Sequence, residues 1–322
     1  MTGSNPLAHV PFSKVIIDAD AAGIAQAAAL LLGGGIVALP TETVYGLAAD
    51  ASNTDAVAAI YRAKGRPNFN PLIVHVADQV TAAKLAVFDA LAEKLATAFW
   101  PGALTLVLPL RNGAQIAEAV TAGLSTIAIR CPAHPVMQAV LAANGLCLAA
   151  PSANKSGGIS PTTAAHVAAS LGDKVPLILD AGPCSDGVES TILAVREGGW
   201  QILRPGPITQ EAITAVVGSA PLELSGGGIE APGQMASHYA PSKLLRLNAK
   251  TAEAGEWFIG FGDVSGDDTL SASGDLAQAA ARLFAALHRA DASDRPRIAI
   301  APIPALDIGI AINDRLVRAA HR

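Results

Sequence analysis

Short apolar runs alternate along the chain with stretches whose apolar residues recur at helical spacing, and residues 35–75 pack both patterns into one segment. Gly35-Ile-Val-Ala-Leu39 is short, apolar and β-branched at two positions, which predicts a buried strand. Pro40 has no N–H for a ladder and ends it. Thr54 predicts an N-cap for a helix with Ala56, Val57, Ile60 and Tyr61 on its apolar stripe, and Gly65 predicts its stop. Arg62, Lys64 and Arg66 then cluster at that C-terminal turn and in the loop beyond it. Pro67, Asn70 and Pro71 stiffen this loop, and an apolar run ending at His75 follows.

The same alternation continues to about residue 217. Strands are expected at 14–17, 104–108, 126–130, 146–150 and 177–179. Helices are expected from Asp20 to the Gly33 run, as one or two units over 79–98, at 135–143 with Gly145 as stop, and after Pro161 to Leu171. Apolar segments around Val195 and Ile202, joined by Glu197-Gly-Gly199, read as a hairpin and make the expected sheet mixed. Alternating strands and helices argue an α/β class. Residues 217–241 lose all periodicity and are rich in glycine and proline, which predicts a linker. Strands at 244–247, 257–261 and 297–301, with helices at 276–288 and 312–320, then predict a small second α/β unit. The expected division is 11–217, a linker at 218–242, and 243–322.

With 322 residues, 51% hydrophobic but only 4% aromatic, the chain can bury a large core of small side chains. A net charge of −5 gives no global field for nucleic acid, so any anion site must be a local concentration of cations. Cys131, Cys147 and Cys184 form no C-x-x-C pair, and the seven histidines show no paired ligand spacing, so neither a disulfide framework nor a protein-only metal site is expected. No signal peptide is read at the N-terminus, and the apolar stretch at 21–32 is too short to span a bilayer, so a soluble cytoplasmic protein is expected. Gly33-Gly-Gly35 belongs to no G-x-x-x-x-G-K-[ST] motif and reads as a helix stop. The spaced glycines 260, 262 and 266 lie too far from the following helix for a dinucleotide loop, and read as a βα connection.

Candidate chemistry gathers at strand ends. Thr41, Glu42, Thr43 and Tyr45 follow one predicted strand, and Ser152 and Asn154 follow another, where open α/β sheets hold ligands. Two readings compete for Lys64 and Arg66: cations complementing a helix dipole at a solvated end, or a polyanion site. The stiff loop after Arg66 favours the second, because a fixed loop loses less entropy on clamping a ligand. Glu42 and Glu189 read as holders of arginines and backbone amides. No G-x-S-x-G elbow supports a serine hydrolase built on Ser152, His75 and Asp180.

Pro40-Thr-Glu-Thr-Val-Tyr-Gly-Leu47, Lys64-x-Arg66-Pro67, Asn70-Pro-Leu-Ile-Val-His75, Trp100-Pro-Gly-Ala-Leu-Thr105, Ser125-Thr-Ile-Ala-Ile-Arg130, Ala150-Pro-Ser-Ala-Asn154, Gly187-Val-Glu-Ser-Thr191 and Arg204-Pro-Gly-Pro207 occur in this order. Together they resemble the YrdC-like family of threonylcarbamoyl-AMP synthases. The segment at 231–241 and Gly309-Ile-Ala-Ile-Asn-Asp-Arg-Leu316 look like the linker and the end of the extra domain of that family's longer, two-domain branch. The resemblance implies a large domain with a twisted mixed sheet and a basic cleft, plus a small Rossmann-like domain. It implies formation of threonylcarbamoyl-AMP and pyrophosphate from L-threonine, bicarbonate or CO2, and ATP. A separate tRNA threonylcarbamoyl transferase would consume the product. By motif match, Lys64 and Arg66 would be catalytic, and with Asn70, Thr126, Ser152, Ser160, Arg204 and Tyr239 would hold ATP. Thr43, His75, Arg130, the backbone at Ala150 and Ser190 would hold L-threonine. Magnesium would accompany the phosphates. The segment at 237–241, freed by the glycines at 226–228, is expected to close over the nucleotide, with Tyr239 against the phosphates.

Two rivals compete with this reading. A non-catalytic RNA-binding module is disfavoured by net acidity and by the lack of basic residues interleaved with aromatics. A carbamoyl-adenylate-forming domain with another acceptor would sit in a much longer chain with zinc and acylphosphatase units.

Overall fold

The structure is a computed structural model that describes residues 16–67, 69–222, 230–234 and 238–321. Lys14 and Val15 of the expected first strand, the glycines at 226–228 and Ser237 lie outside the described residues. Among the described residues ten strands make the larger sheet: β1 (Ile16–Asp18), β2 (Val37–Leu39), β3 (Gly46–Asp50), β4 (Ile73–His75), β5 (Leu104–Pro109), β6 (Thr126–Arg130), β7 (Leu148–Ala149), β8 (Ile178–Asp180), β9 (Thr191–Arg196) and β10 (Gly199–Arg204). Their order is β1-β8-β2-β3-β7-β4-β6-β5-β9-β10. Parallel pairs such as β4 with β6 and β5 with β9 alternate with antiparallel ones such as β2 with β3, so the sheet is mixed as the hairpin predicted. Helices α1 (Ala21–Leu32), α2 (Thr54–Lys64), α3 (Gln79–Leu85), α4 (Ala90–Phe99), α5 (Glu118–Thr121), α6 (Pro135–Asn144), α7 (Ala164–Leu171) and α8 (Gln210–Val217) accompany it.

Several elements differ from the sequence expectation. Asn53, not Thr54, caps α2, its side chain accepting from the amides of Asp55 and Ala56. Gly65 ends the helix in the left-handed region, as expected. Strand β3 was not expected, because Gly46-Leu-Ala-Ala-Asp50 carries no β-branched residue to announce it. Its antiparallel return turns residues 41–45 into a tight connection to β2. Strand β7 shrinks from the expected 146–150 to two residues. Helix α8, capped by Thr209, occupies a stretch the sequence reading passed over.

The second unit is a four-stranded parallel sheet in the order β11-β14-β12-β13. It comprises β11 (Leu244–Arg246), β12 (Glu256–Gly260), β13 (Asp268–Thr269) and β14 (Arg297–Ile300), with α9 (Leu276–Ala292) and α10 (Gly309–Ala320). A Cβ added to Gly260 would lie 2.2 Å from the Val264 carbonyl oxygen, so that glycine serves a tight turn and no phosphate loop. The core of this unit continues into the first: Val44, Ile159 and Val188 pack in one buried cluster with Tyr239, Leu283 and Phe284. Each such buried side chain is worth about 1.5–3 kcal/mol relative to exposure. This apolar seam outweighs any exposed ion pair in keeping the two units docked.

Candidate functional site

Strand register assembles the site. In the parallel β4–β6 pair, His75 and Arg130 are direct partners, so both leave the sheet at the same end. Thr105 at the start of β5 pairs with Arg130 across the antiparallel β5–β6 ladder. Strand β9 runs beside β5 with Leu104 opposite Thr191, which brings Ser190 to that end as well. The 41–45 turn closes over it. Thr41 Oγ1 donates to the Val44 carbonyl at 2.6 Å and accepts from the amides of Thr43 and Val44, which fixes the turn.

One side of the site is built on Arg130. Its Nη1 donates to Thr43 Oγ1 at 2.8 Å and its Nε to the Gly102 carbonyl at 3.1 Å. Its Nη2 lies 2.6 Å from Glu42 Oε1, an ion pair without hydrogen-bond alignment. Glu42 also accepts from the amides of Ala133 and His134. Burial alone would push the Glu42 carboxyl up, but the Arg130 charge and the Ala133 amide outweigh it and hold the carboxyl below its usual range. The reading of Glu42 as a holder of arginine and amides is what the geometry shows. His75 is buried, and burial followed by the Arg130 charge pulls its pKa to about 3, so the ring is neutral. Its Nδ1 is buried and has no hydrogen-bond partner among the described residues.

The other side is cationic. Lys64 and Arg66 are buried, while Arg62 is exposed, so cations at a solvated helix end describe Arg62 alone. Arg66 donates from Nε to the Asn70 carbonyl at 3.3 Å and from Nη2 to the Pro71 carbonyl at 2.9 Å. Arg204 donates from Nε and Nη2 to the Ser190 carbonyl at 3.1 and 2.9 Å, and from Nη2 to Ser190 Oγ at 3.2 Å. Burial lowers the pKa of Arg66 to about 10 and also lowers that of Arg204, yet both stay charged near neutrality. Among the described residues neither is ion-paired with a carboxylate. Two buried guanidinium groups are thus satisfied by carbonyls but not neutralised, a chemistry suited to an anion.

Thr43, Arg66, His75, Arg130, Ala150, Ser152, Ser190, Arg204 and Tyr239 all line one cavity of about 40 Å³. Four other expected residues do not border it. Lys64 Nζ donates to the carbonyls of Ser152 at 2.5 Å and Asn154 at 2.6 Å, bracing the loop that carries Ser152. Burial, then the Arg66 charge, lowers the Lys64 pKa well below that of a free lysine. Asn70 lies under Arg66, and Ser160 Oγ donates to Glu189 Oε1 in a short hydrogen bond. Thr126 opens β6, four residues before Arg130, and a strand rise of about 3.3 Å per residue puts it roughly 13 Å from that end.

The segment around Tyr239 covers the cavity. Ala240 N donates to the Gly157 carbonyl at 2.8 Å, and His238 N to the Arg318 carbonyl at 3.3 Å. Pro232 accepts from Arg204 Nη1 at 3.4 Å. The Tyr239 ring is wholly buried, 5.7 Å from the Phe284 ring. Its hydroxyl meets no aligned hydrogen-bond partner among the described residues. His238 lines the cavity from within the segment expected to close over it, whereas the sequence reading gave no site role to Pro232, which also lines it, or to Arg315, which it quoted only within the motif at 309–316. Arg315 could have been found: at the second position of Ile312, Arg315, Leu316 and Ala319, it sits on the apolar stripe of α10.

For magnesium, the carboxylates at the site are already engaged, Glu42 by Arg130 and Glu189 by Arg315. Among the described residues no three metal-ligating side chains converge. No described helix is long and apolar enough to cross a membrane.

A family model covering the Sua5, YciO and YrdC proteins, described as telomere recombination, matches residues 29–206. A second, described as the C-terminal domain of threonylcarbamoyl-AMP synthase, matches residues 208–321. A threonylcarbamoyl-AMP synthase of Bacillus subtilis is 42% identical, with 92% of each chain covered. One of Pyrococcus abyssi is 37% identical over 91% of this chain and 93% of its own. The crystal structure of P. abyssi Sua5 complexed with L-threonine superposes with a TM-score of 0.85 at 36% identity, covering 92% of this chain and 94% of that one.

Proposed function

Because the chain belongs to the Sua5–YciO–YrdC family, in the branch that adds the Sua5 C-terminal domain, we propose that it makes threonylcarbamoyl-AMP and pyrophosphate from L-threonine, bicarbonate or CO2, and ATP. It is an enzyme of the nucleotidyltransferase type. The observation that carries the reading is one cavity with two unneutralised buried arginines on one side and the Arg130–Thr43–His75 group on the other. Arg130 would take the threonine carboxylate in its planar fork. Neutral His75 would meet the threonine hydroxyl through its unpartnered nitrogen. A carbamate formed on the threonine amine then attacks the α-phosphate, and pyrophosphate departs toward Arg66 and Arg204. Fixed cations answer the charge that builds on the leaving group by position and neutralisation, without covalent catalysis. Magnesium, when bound to the triphosphate, would neutralise part of that charge.

A cavity of about 40 Å³ holds roughly three waters, far less than a nucleotide. The Pro232 and His238–Tyr239 cover must therefore lift to admit ATP and return to shield a hydrolysable mixed anhydride. The product would pass to a transferase that modifies an adenosine of tRNA. The test is pyrophosphate release from ATP and bicarbonate with each amino acid in turn. Threonine is expected to lead. Valine should be rejected strongly, since the polar atoms meant for the hydroxyl go unpaired, while serine lacks only a methyl worth about 1–3 kcal/mol. Release independent of threonine, or valine outperforming serine, overturns the assignment.

A further inference from the structure

The second unit reaches into the site through one side chain. Arg315, on α10, is fully buried and donates from Nε to Glu189 Oε2 at 2.7 Å. Its Nη2 donates to the Pro205 carbonyl at 2.9 Å and its Nη1 to Asp314 Oδ2 at 2.7 Å. Its guanidinium carbon lies 5.2 Å from the centroid of the Tyr239 ring, in cation–π range. Glu189 adjoins Ser190, the residue that Arg204 grips, and it borders the cavity. Burial alone would push the Glu189 carboxyl up, but the charges of Arg315 and then Arg204 outweigh it, so it is ionised.

We propose that Arg315 is a positioning residue: it cancels the Glu189 charge and so leaves Arg204 and Arg66 positive toward an anionic ligand. The physical need is direct. An ionised buried carboxylate must be paired. Without Arg315 the next strong cation acting on Glu189 is Arg204. Pairing the two would neutralise the guanidinium and pull it from the Ser190 carbonyl. The side chain that prevents this comes from the second unit, so the anion side is complete only while α10 is docked. Cation–π contact with Tyr239 links the same guanidinium to the cover.

The inference rests on the anion-binding part of the proposed function, and its test separates the two. Full-length protein is titrated with magnesium ATP and with inorganic pyrophosphate by calorimetry, and KM for L-threonine is measured alongside. Arg315→Gln is expected to weaken both anions roughly tenfold or more while threonine KM moves less than about twofold. Adding Glu189→Gln to it removes the charge that needed cancelling and is expected to restore ATP affinity to within about threefold of wild type. If Arg315 merely tied the units together, the double variant would bind as poorly as the single one, and that result overturns the proposal, as does an unchanged single variant. Should Arg315→Gln fail to fold, Glu189→Gln and the double variant decide it: both must bind ATP at least as tightly as wild type to within a factor of about three, and a greater loss in either overturns it. Wild-type pyrophosphate release that ignores threonine would sink the functional assignment, yet the affinity comparison would still stand.

Discussion

Gly187 marks where α9 of the second unit rests on the loop that carries Glu189 and Ser190. Its φ is +70°, in the region that favours glycine, and an added Cβ would lie 2.4 Å from both the Ala280 carbonyl oxygen and Ala281 Cα. Both obstacles are backbone atoms of α9, so no side chain can rotate away. Gly187→Ala therefore carries two costs. The left-handed conformation adds about 1–2 kcal/mol for a residue with a Cβ. Forcing a packed helix back by about 1 Å adds roughly 1–3 kcal/mol more, the usual range for overpacking. Gly145 supplies the control. It ends α6 at φ +67° with nothing within 4 Å of an added Cβ, so Gly145→Ala carries the first cost only. Urea unfolding of both variants, compared at a shared m-value, should place Gly187→Ala about 1–3 kcal/mol below Gly145→Ala. Amide exchange along α9 should quicken in the first variant alone. ATP affinity should fall with it, because a displaced second unit takes Arg315 away from Glu189. Equal stability of the two variants would show that α9 does not press on Gly187, and the account of docking would fail.

Arg66→Ala should lower pyrophosphate release a hundredfold or more, about 3 kcal/mol of transition-state stabilisation, without unfolding the protein; wild-type turnover refutes its role. Lys64→Met keeps the buried stem but removes both hydrogen bonds from Nζ to the Ser152–Asn154 loop, and steady-state assays should show a similar loss. For His75 the sign follows from a folded pKa of about 3 against an unfolded value of about 6.5. The unfolded chain binds the extra proton first, so stability from the neutral ring is complete above pH 6.5 or so and is lost as pH falls toward 3. Acid unfolding of His75→Gln should be shallower over that window, and superimposable profiles would refute the burial argument.

Where the sequence could be read, one periodicity met one environment. Helix α2 was legible because its apolar stripe and glycine stop agree, and both are local. Strand β3 was not, because alanine and glycine fit any element and only its pairing with β2 and β7 makes it a strand. The expected site residues divide in the same way. Those that border the cavity lie mostly at or just beyond strand ends, where sheet geometry converges. Thr126 shares a motif with Arg130 but opens the strand that Arg130 closes, so it lies off the cavity that Arg130 borders. Arg315 shows what a single chain conceals. A cation on an apolar helical stripe demands a buried counter-charge, and the demand is visible in the sequence. The partner is not, because Glu189 lies 126 residues away and only docking of the second unit brings the two together. The link between the two units is thus written as an apparent error of hydrophobic patterning. Such errors mark where a fold spends packing to hold charge, and here that charge stands one side chain from the anion site.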